Sequence, residues 1–431
     1  MQEEEDGAAR EFLGSVLRDL PGQRQQLRPG SRTVSREEAQ GELAELLLGF
    51  LGNRGAPSWL SATLVNAAVQ QALEGDLSSY LQKKDATDLQ ELENESPKEE
   101  DIYCSDLLLN HCLSCLQDIT TMWQSCLPPI TRCSRQLIVS AHAIRNTRRK
   151  MEDRHVTLLE FNQLHGLTDG VERSYFAVFD GHGGVDAANY AAAQVHVQVA
   201  NHEALAQDPA RAVKESFQRT DAMFLRKAKR ERLRSGTTGV CVLLEEERIH
   251  VAWLGDSQAI LVRDGCSVTL MEPHKPERED ERDRIESLGG CVTFMGCWRV
   301  NGTLAVSRAI GDINQKPYVS GEGDVTSHVL NGSEDFLVLA CDGFYDTVSP
   351  SEVPELVFSH LQENAGDGRS VAERLVNAAK EGGSGDNITV LVVFLREPVK
   401  VLENFLAQGC GEAKPLFDFG GKVETGSDHA G

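Results

Sequence analysis

The sequence predicts a mixed α and β domain from about Gln136 to Leu395, preceded by a helical amino-terminal region. Two observations predict it. From Gln136 onward, short runs of Val, Ile and Phe bounded by Gly, Asp and Asn alternate with longer stretches of helical periodicity. Between residues 36 and 126, apolar residues instead keep the three-and-four spacing of amphipathic helices.

Taken in order, residues 1–35 are polar, rich in Arg, Gln and Glu and without sustained periodicity, and are expected to be mobile. Helical signals begin with SREE at 35–38, a capping-box arrangement in front of Leu43, Leu46, Leu47 and Phe50. A second periodic stretch from Leu60 to Leu73 makes the pair a predicted helical hairpin. The charged run KKDATDLQELENESPKEED at 83–101 is expected to be a solvated linker. A further helix is predicted from Ser105 to about Cys126, closed by Pro128 and Pro129. Residues 36–134 thus form one helical unit for regulation or docking. In the following domain, 135–397, helices are predicted at 185–200, 211–233, 277–288 and 370–381. The tail, 398–431, is polar, carries Gly420 and Gly421, and is expected to be loosely ordered.

Bulk properties narrow the function. The formal net charge of −23 disfavours nucleic acid or an anionic membrane as main partner, since phosphate binding rests on basic surface. The 11 cysteines are unevenly scattered through apolar segments, which suits reduced thiols and predicts a cytoplasmic, and also nuclear, location. MQEEED lacks the basic and apolar regions of a signal peptide, and no apolar run is long enough for a bilayer span.

The chemistry is carried by a coincidence of position. Phe176–Phe179 ends on Asp180, His250–Leu254 ends on Gly255 and Asp256, Phe336–Cys341 ends on Asp342, and Asp386 and Asn387 open the run Ile388–Phe394. Each is also an ordinary turn signal. Were the four ends gathered on one rim, the carboxylates would repel, and each would have to be protonated, paired or bound to a cation. Oxygen ligands without Cys or His spacing suit hard divalent ions such as Mg²⁺ or Mn²⁺.

Eight motifs occur in order: RRKMEDRH (148–155), FDGHGG (179–184), SGTTGV (235–240), GDSQ (255–258), HKP (274–276), LAVSRAIGD (304–312), ACDGFYD (340–346) and GDNITV (385–390). Together they resemble the metal-dependent serine/threonine protein phosphatases of type 2C over residues 136–396. The resemblance implies an α+β fold, two packed antiparallel β-sheets flanked by helices, with the metal centre at one end and the helical extension added. Within that family, the extension and the wording HAIRNTRRKMEDRH are most similar to members acting on calcium/calmodulin-dependent and p21-activated protein kinases.

The resemblance also implies residue roles. Asp180 bridges two ions; Glu152 and the Gly181 carbonyl complete one shell, Asp342 and Asp386 hold the other, and Asp256 and Asp346 with Asp342 hold a weaker third ion. Asp153 orders the shell from outside. Arg148 grips the phosphate through its planar fork, and His182 is the general acid for the departing Ser or Thr oxygen. The residues alone leave Arg145, Arg148 and Arg149 undistinguished, and leave Glu152 equally a member of a solvated charged run. HKP and Arg299 resemble positions near the groove, and VSGEGD at 319–324 falls where the family carries a flap. The expected partners are phosphoproteins, protein kinases above all, with further proteins docking on the amino-terminal helices.

Other signals have plainer readings. His111, Cys112 and Cys115 lack a second ligand pair for zinc and predict a helix with buried thiols. RKAKRERLR at 226–234 reads as a solvated helix face, with a nuclear signal or docking patch as rivals. IVSAHAIRNTRRK reads either as a strand or as a basic calmodulin-binding helix, and the resemblance favours the strand. Rival functions are a non-catalytic scaffold and a metal-dependent phosphodiesterase.

Overall fold

The computed structural model describes residues 2–23, 27–82, 101–129 and 135–407. The amino-terminal region comprises α1 (Gln2–Gln23), β1 (Thr33–Ser35), α2 (Arg36–Gly52), α3 (Ser58–Glu74), β2 (Ile102–Cys104) and α4 (Ser105–Ser125). The next domain begins with β3 (Ile138–Ile144), β4 (Arg154–Leu158), α5 (Phe161–His165), β5 (Ser174–Phe179), β6 (Gly181–His182), α6 (Asp186–Ala200) and α7 (Pro209–Glu231). It continues with β7 (Gly236–Thr237), β8 (Gly239–Leu244), β9 (Arg248–Leu254), β10 (Gln258–Arg263), β11 (Cys266–Thr269), α8 (Glu279–Ser287), β12 (Val292–Phe294) and β13 (Trp298–Val300). It closes with β14 (Ile310–Gly311), β15 (Asp324–Val329), β16 (Glu334–Ala340), α9 (Asp342–Tyr345), α10 (Val353–Glu363), α11 (Val371–Glu381), β17 (Ile388–Phe394) and α12 (Pro398–Ala407).

Two antiparallel five-stranded sheets, in the orders β15-β9-β8-β5-β4 and β11-β10-β16-β17-β3, face each other. Phe176, Val178, Val240 and Val242 of the first meet Leu337, Leu339, Leu391 and Val393 of the second. The opposite face of the first sheet, Tyr175, Ala177, Phe179 and Leu243, is covered by α6 and α7. Val338, Val390 and Val392 of the second are covered by α10 and α11. With both faces covered, β5, β16 and β17 are buried along their whole length, which is why they read as continuous apolar runs and not as alternating strands. Each fully buried Phe or Leu there contributes about 1.5–3 kcal/mol of transfer free energy. Residues 138–144 pair as β3 with β17, so the calmodulin-helix alternative gives way to the strand.

In the amino-terminal region the capping box forms as expected, with the Ser35 N–H donating to Glu38 at 2.8 Å. The hairpin of α2 and α3 packs with α4 around Leu47, Leu60, Leu64 and Leu116. This bundle docks on the sandwich through α6, where Gly41 lies so close to the Ala193 carbonyl that a Cβ would collide with it. Around that contact, Arg230 reaches the buried Glu38 at 2.9 Å and Arg226 reaches Glu37 at 2.6 Å. Of the basic run at 226–234, Arg226, Lys227 and Arg230 thus meet the bundle, while Lys229, Arg232 and Arg234 remain exposed to solvent.

Two expectations are corrected. Residues 2–23 form α1, whose Ala9, Leu13, Val16 and Leu20 are fully buried in the bundle core that also holds α4. Four apolar positions at spacings of four, three and four were too sparse, in a polar background, to stand out before their partner helix was in place. In the tail, residues 398–407 form α12, with Val401 buried and Phe405 stacked on Phe358 at a 3.8 Å centroid separation. Residues 408–431 and the linker at 83–100 lie outside the described residues. No helix among the described residues is long and apolar enough to cross a membrane.

Candidate active site

Strand register brings the carboxylates together. Arg154 pairs with Phe179 and Gly239 with Leu254, which aligns the start of β4 with the ends of β5 and β9. In the facing sheet Ala340 pairs with both Gln258 and Val390, aligning the end of β16 with the starts of β10 and β17. Glu152, Asp180, Asp256, Asp342 and Asp386 consequently line one cavity of about 660 Å³, together with Gly181, His182, Arg148 and Arg299. Asp346, one turn beyond Asp342, feels Asp256 and Asp386 from the side.

The crowding has an electrostatic cost. Burial first, and then Asp342, Asp153 and Asp256, hold the Asp180 carboxyl well above the usual range. Burial and Asp256 push Asp342 up to about 7. Asp346 is raised by burial against the opposing pull of Lys275. Carboxyls that resist ionisation this strongly are matched to a cation that would neutralise them, and a set of oxygen donors suits a hard divalent ion.

Asp153 lies behind this cluster. It is buried, its carboxylate lies within 4.8 Å of an Asp180 carboxylate oxygen and of Cys341 Sγ, and it accepts from Thr389 Oγ1 at 2.7 Å. Burial raises it to about 6. It stands beside Asp180 and outside the cavity lining. Asp180 is further fixed through its carbonyl, which accepts from the Thr238 N–H and the Thr237 hydroxyl, both at 2.9 Å.

Arg148 and Glu152 sit on the loop between β3 and β4. Arg148 extends to Asp386 at 2.5 Å and remains mostly exposed. The loop is braced by Asn387, whose Oδ1 accepts from the Glu152 N–H at 2.8 Å, and whose Nδ2 donates to the Arg145 and Lys150 carbonyls at 2.9 and 3.0 Å. Gly181 is forced by close approach, since a Cβ there would strike the Glu152 carbonyl.

His182 turns its Nε2 to Asp312 at 2.7 Å. Burial alone would lower its pKa, but the Asp312 hydrogen bond and charge, with Asp256 and Glu152, raise it. The HKP motif divides its work. His274 Nδ1 accepts from the Gly255 N–H at 3.1 Å and its Nε2 meets Asp324 at 3.0 Å, which fixes the end of β9. Lys275 places its ammonium on Asp256.

Asp312, Asn387 and Lys275 thus belong to the site, although sequence reasoning gave Asp312 and Asn387 no role and placed Lys275, within HKP, only near the groove. All three stand inside motifs that were read, and the signal was their motif membership alone. The expected flap at 319–324 is corrected: Val319 is buried beneath the rim with Ile285 and Val300, and Arg299 with Leu304–Val306 borders the cavity instead. Cys112 and Cys115 are buried thiols on α4, Cys112 being near the Ala68 carbonyl at 3.9 Å.

Comparisons with known proteins agree with this geometry. Residues 138–388 match the family Protein phosphatase 2C. The chain is 56% identical over 400 residues to Protein phosphatase 1F of Homo sapiens, covering 91% of this chain and 88% of that protein. It is 49% identical over 377 residues to Protein phosphatase 1E of Mus musculus, covering 87% of this chain and 49% of that one. In fold, a sex-determining protein of C. elegans superposes with a TM-score of 0.70 at 22% identity, covering 92% of this chain and 97% of that chain. A serine-threonine phosphatase 2C from Toxoplasma gondii superposes at 0.54 and 22% identity, covering 60% and 94%. The carboxylate rim, the ordered motifs and these relatives lead to one conclusion: the chain belongs to the protein phosphatase 2C family, the metal-dependent protein serine/threonine phosphatases.

Proposed function

We propose that the cavity holds two divalent ions, Mg²⁺ or Mn²⁺, and hydrolyses phosphoserine and phosphothreonine in proteins. The observation that carries this reading is the convergence of Asp180, Asp256, Asp342, Asp386 and Glu152 on one cavity. Asp180 would be shared between the two ions, Glu152 and the Gly181 carbonyl would hold one, and Asp342 and Asp386 would hold the other. Asp256 and Asp346, with Asp342, would hold a weaker third ion. When bound, such ions supply an activated water and neutralise charge building on phosphorus.

The protein's own groups do the rest. Arg148, exposed on the cavity lining, would grip two phosphate oxygens through its planar fork. His182 delivers its proton to the departing Ser or Thr oxygen. The phosphorylated segments of protein kinases, calcium/calmodulin-dependent and p21-activated kinases among them, are the substrates that the amino-terminal resemblance favours. Release of phosphate from a phosphoserine peptide is the test: it should require added Mn²⁺ or Mg²⁺, and turnover after thorough chelation would overturn the reading.

A further inference from the structure

We propose that Asp312 is a positioning residue for His182, holding the imidazole in the orientation from which it protonates the leaving oxygen. This rests on the general-acid reading of His182 given above. The two side chains meet at 2.7 Å through His182 Nε2, across 130 residues of sequence. His182 lines the cavity and is 30% exposed, whereas Asp312 is 7% exposed and lies outside the cavity lining. The carboxylate therefore stands behind the ring, away from where substrate enters. Pairing through Nε2 leaves Nδ1 without a protein partner among the described residues, on a side chain that faces the cavity.

The local architecture is arranged around this pair. The small sheet β14-β7-β6 sets both His182 and Gly311 opposite Gly236. A Cβ at Gly236 would overlap the Asp312 carboxylate and lie 2.5 Å from His182 Nε2, so any larger residue would part the two. Asp312 itself has a left-handed backbone, φ 49°, unusual for a non-glycine residue and maintained where surroundings require it. Those surroundings are specific. The Asp312 N–H donates to the Ser235 carbonyl at 3.1 Å, and the Gly311 N–H donates to Asp221 of α7 at 2.7 Å. Lys316 closes the bracket on Asp221 at 2.8 Å.

A cation-ligand role for Asp312 fits less well. The carboxylates that crowd Asp180 and Asp342 are Asp153, Asp256 and Asp346, and Asp312 is not among them. A buried carboxylate that pairs with the far nitrogen fixes the ring's orientation: the imidazolium gives its Nδ1 proton to the leaving oxygen and is left as the neutral ring whose Nε2–H stays on Asp312.

The experiment compares two substrates on one preparation: a phosphoserine peptide, whose alkoxide leaving group needs a proton, and p-nitrophenyl phosphate, whose phenolate does not. Asp312→Asn should lower kcat on the peptide roughly 10- to 100-fold, with KM and aryl phosphate turnover changed by less than about threefold. Asp312→Glu should retain more of the peptide rate than Asp312→Asn. Adding Asp312→Asn to His182→Gln should cost nothing further, because the two act as a unit. The ratio of the two rates cancels any loss of folded protein, and Asp312→Glu is read in the same way if the Asn variant does not fold. Calorimetric titration with Mn²⁺ should be unchanged. Equal losses on both substrates, additive losses, or weakened Mn²⁺ binding would overturn the proposal. If His182→Gln itself slows both substrates equally, the acid assignment fails instead, and the two failures are thereby told apart.

Discussion

The Lys275 ammonium lies on the Asp256 carboxylate, so a cation of the protein's own stands at the proposed weakest ion site. Burial alone would lower the Lys275 pKa, but Asp256, with Asp342 and Asp346 beyond it, raises it, and the ammonium stays charged. An incoming ion must displace it or share its carboxylate. Replacing Lys275 with Met should tighten the weakest Mn²⁺-binding step on the order of tenfold, the value of one unit charge at contact in a solvent-screened site. Isothermal titration calorimetry resolves the steps; an unaltered weakest step would place that ion away from Asp256.

Cation binding should be linked to protons. Asp342 is raised to about 7 and Asp153 to about 6, each by burial first. Without cations the folded protein holds protons that the unfolded chain has released, so its stability declines as pH rises through this range. An arriving divalent ion must expel those protons. Affinity is expected to weaken by up to about tenfold per pH unit between about pH 7 and about pH 6, by up to about a hundredfold per unit below that, and to level off above about pH 7. At pH 6.5 the measured binding enthalpy should vary with the ionisation enthalpy of the buffer, and the idea fails if it does not.

Asn387→Ala tests the brace beneath the Arg148 loop. The substitution removes three hydrogen bonds from a side chain only 5% exposed. Losing these part-buried hydrogen bonds should cost about 1–3 kcal/mol of stability. Because the loop carries Arg148 and Glu152, KM for a phosphopeptide should rise as well. A melting curve and a substrate titration on the same sample report the two effects, and an unchanged KM would mean that the loop keeps its shape without Asn387.

Glu42 of α2 carries a buried Oε1 with no hydrogen-bond partner. Burial, aided by Glu38 and Glu231 and opposed by Lys227, raises it to about 7. The protonated form suits the fold, so this group's penalty is absent below about pH 4.5 and complete above about pH 7. Glu42→Gln should therefore stabilise the protein by about 2 kcal/mol at pH 8 and change little near pH 4.5. Denaturant unfolding at both pH values tests this, and an equal gain at both would assign it to packing and not to charge.

Much of the site was legible because strand ends are local features. Each of Asp180, Asp256, Asp342 and Asp386 adjoins an apolar run, and a run buried on both faces announces itself without reference to its neighbours. Helix boundaries at α4, α6 and α11 followed from periodicity in the same way. Helices α1 and α12 did not, because their apolar stripes acquire meaning only against α4 and against Phe358.

The sequence by itself determined the helical unit at 36–126, the alternating α and β domain, and the placing of an acidic residue at one end of each of four apolar strands; that these ends share one rim was decided by strand register. Tertiary structure alone decided which residues touch: Asp312 with His182, Lys275 with Asp256, Asn387 with the Arg148 loop, and Glu37 and Glu38 with the basic face of α7. The physical reason is range. Hydrophobic periodicity and turn chemistry act between near neighbours in the chain, whereas a hydrogen bond between residues 182 and 312 exists only after three short strands have set His182 and Gly311, the neighbour of Asp312, opposite Gly236.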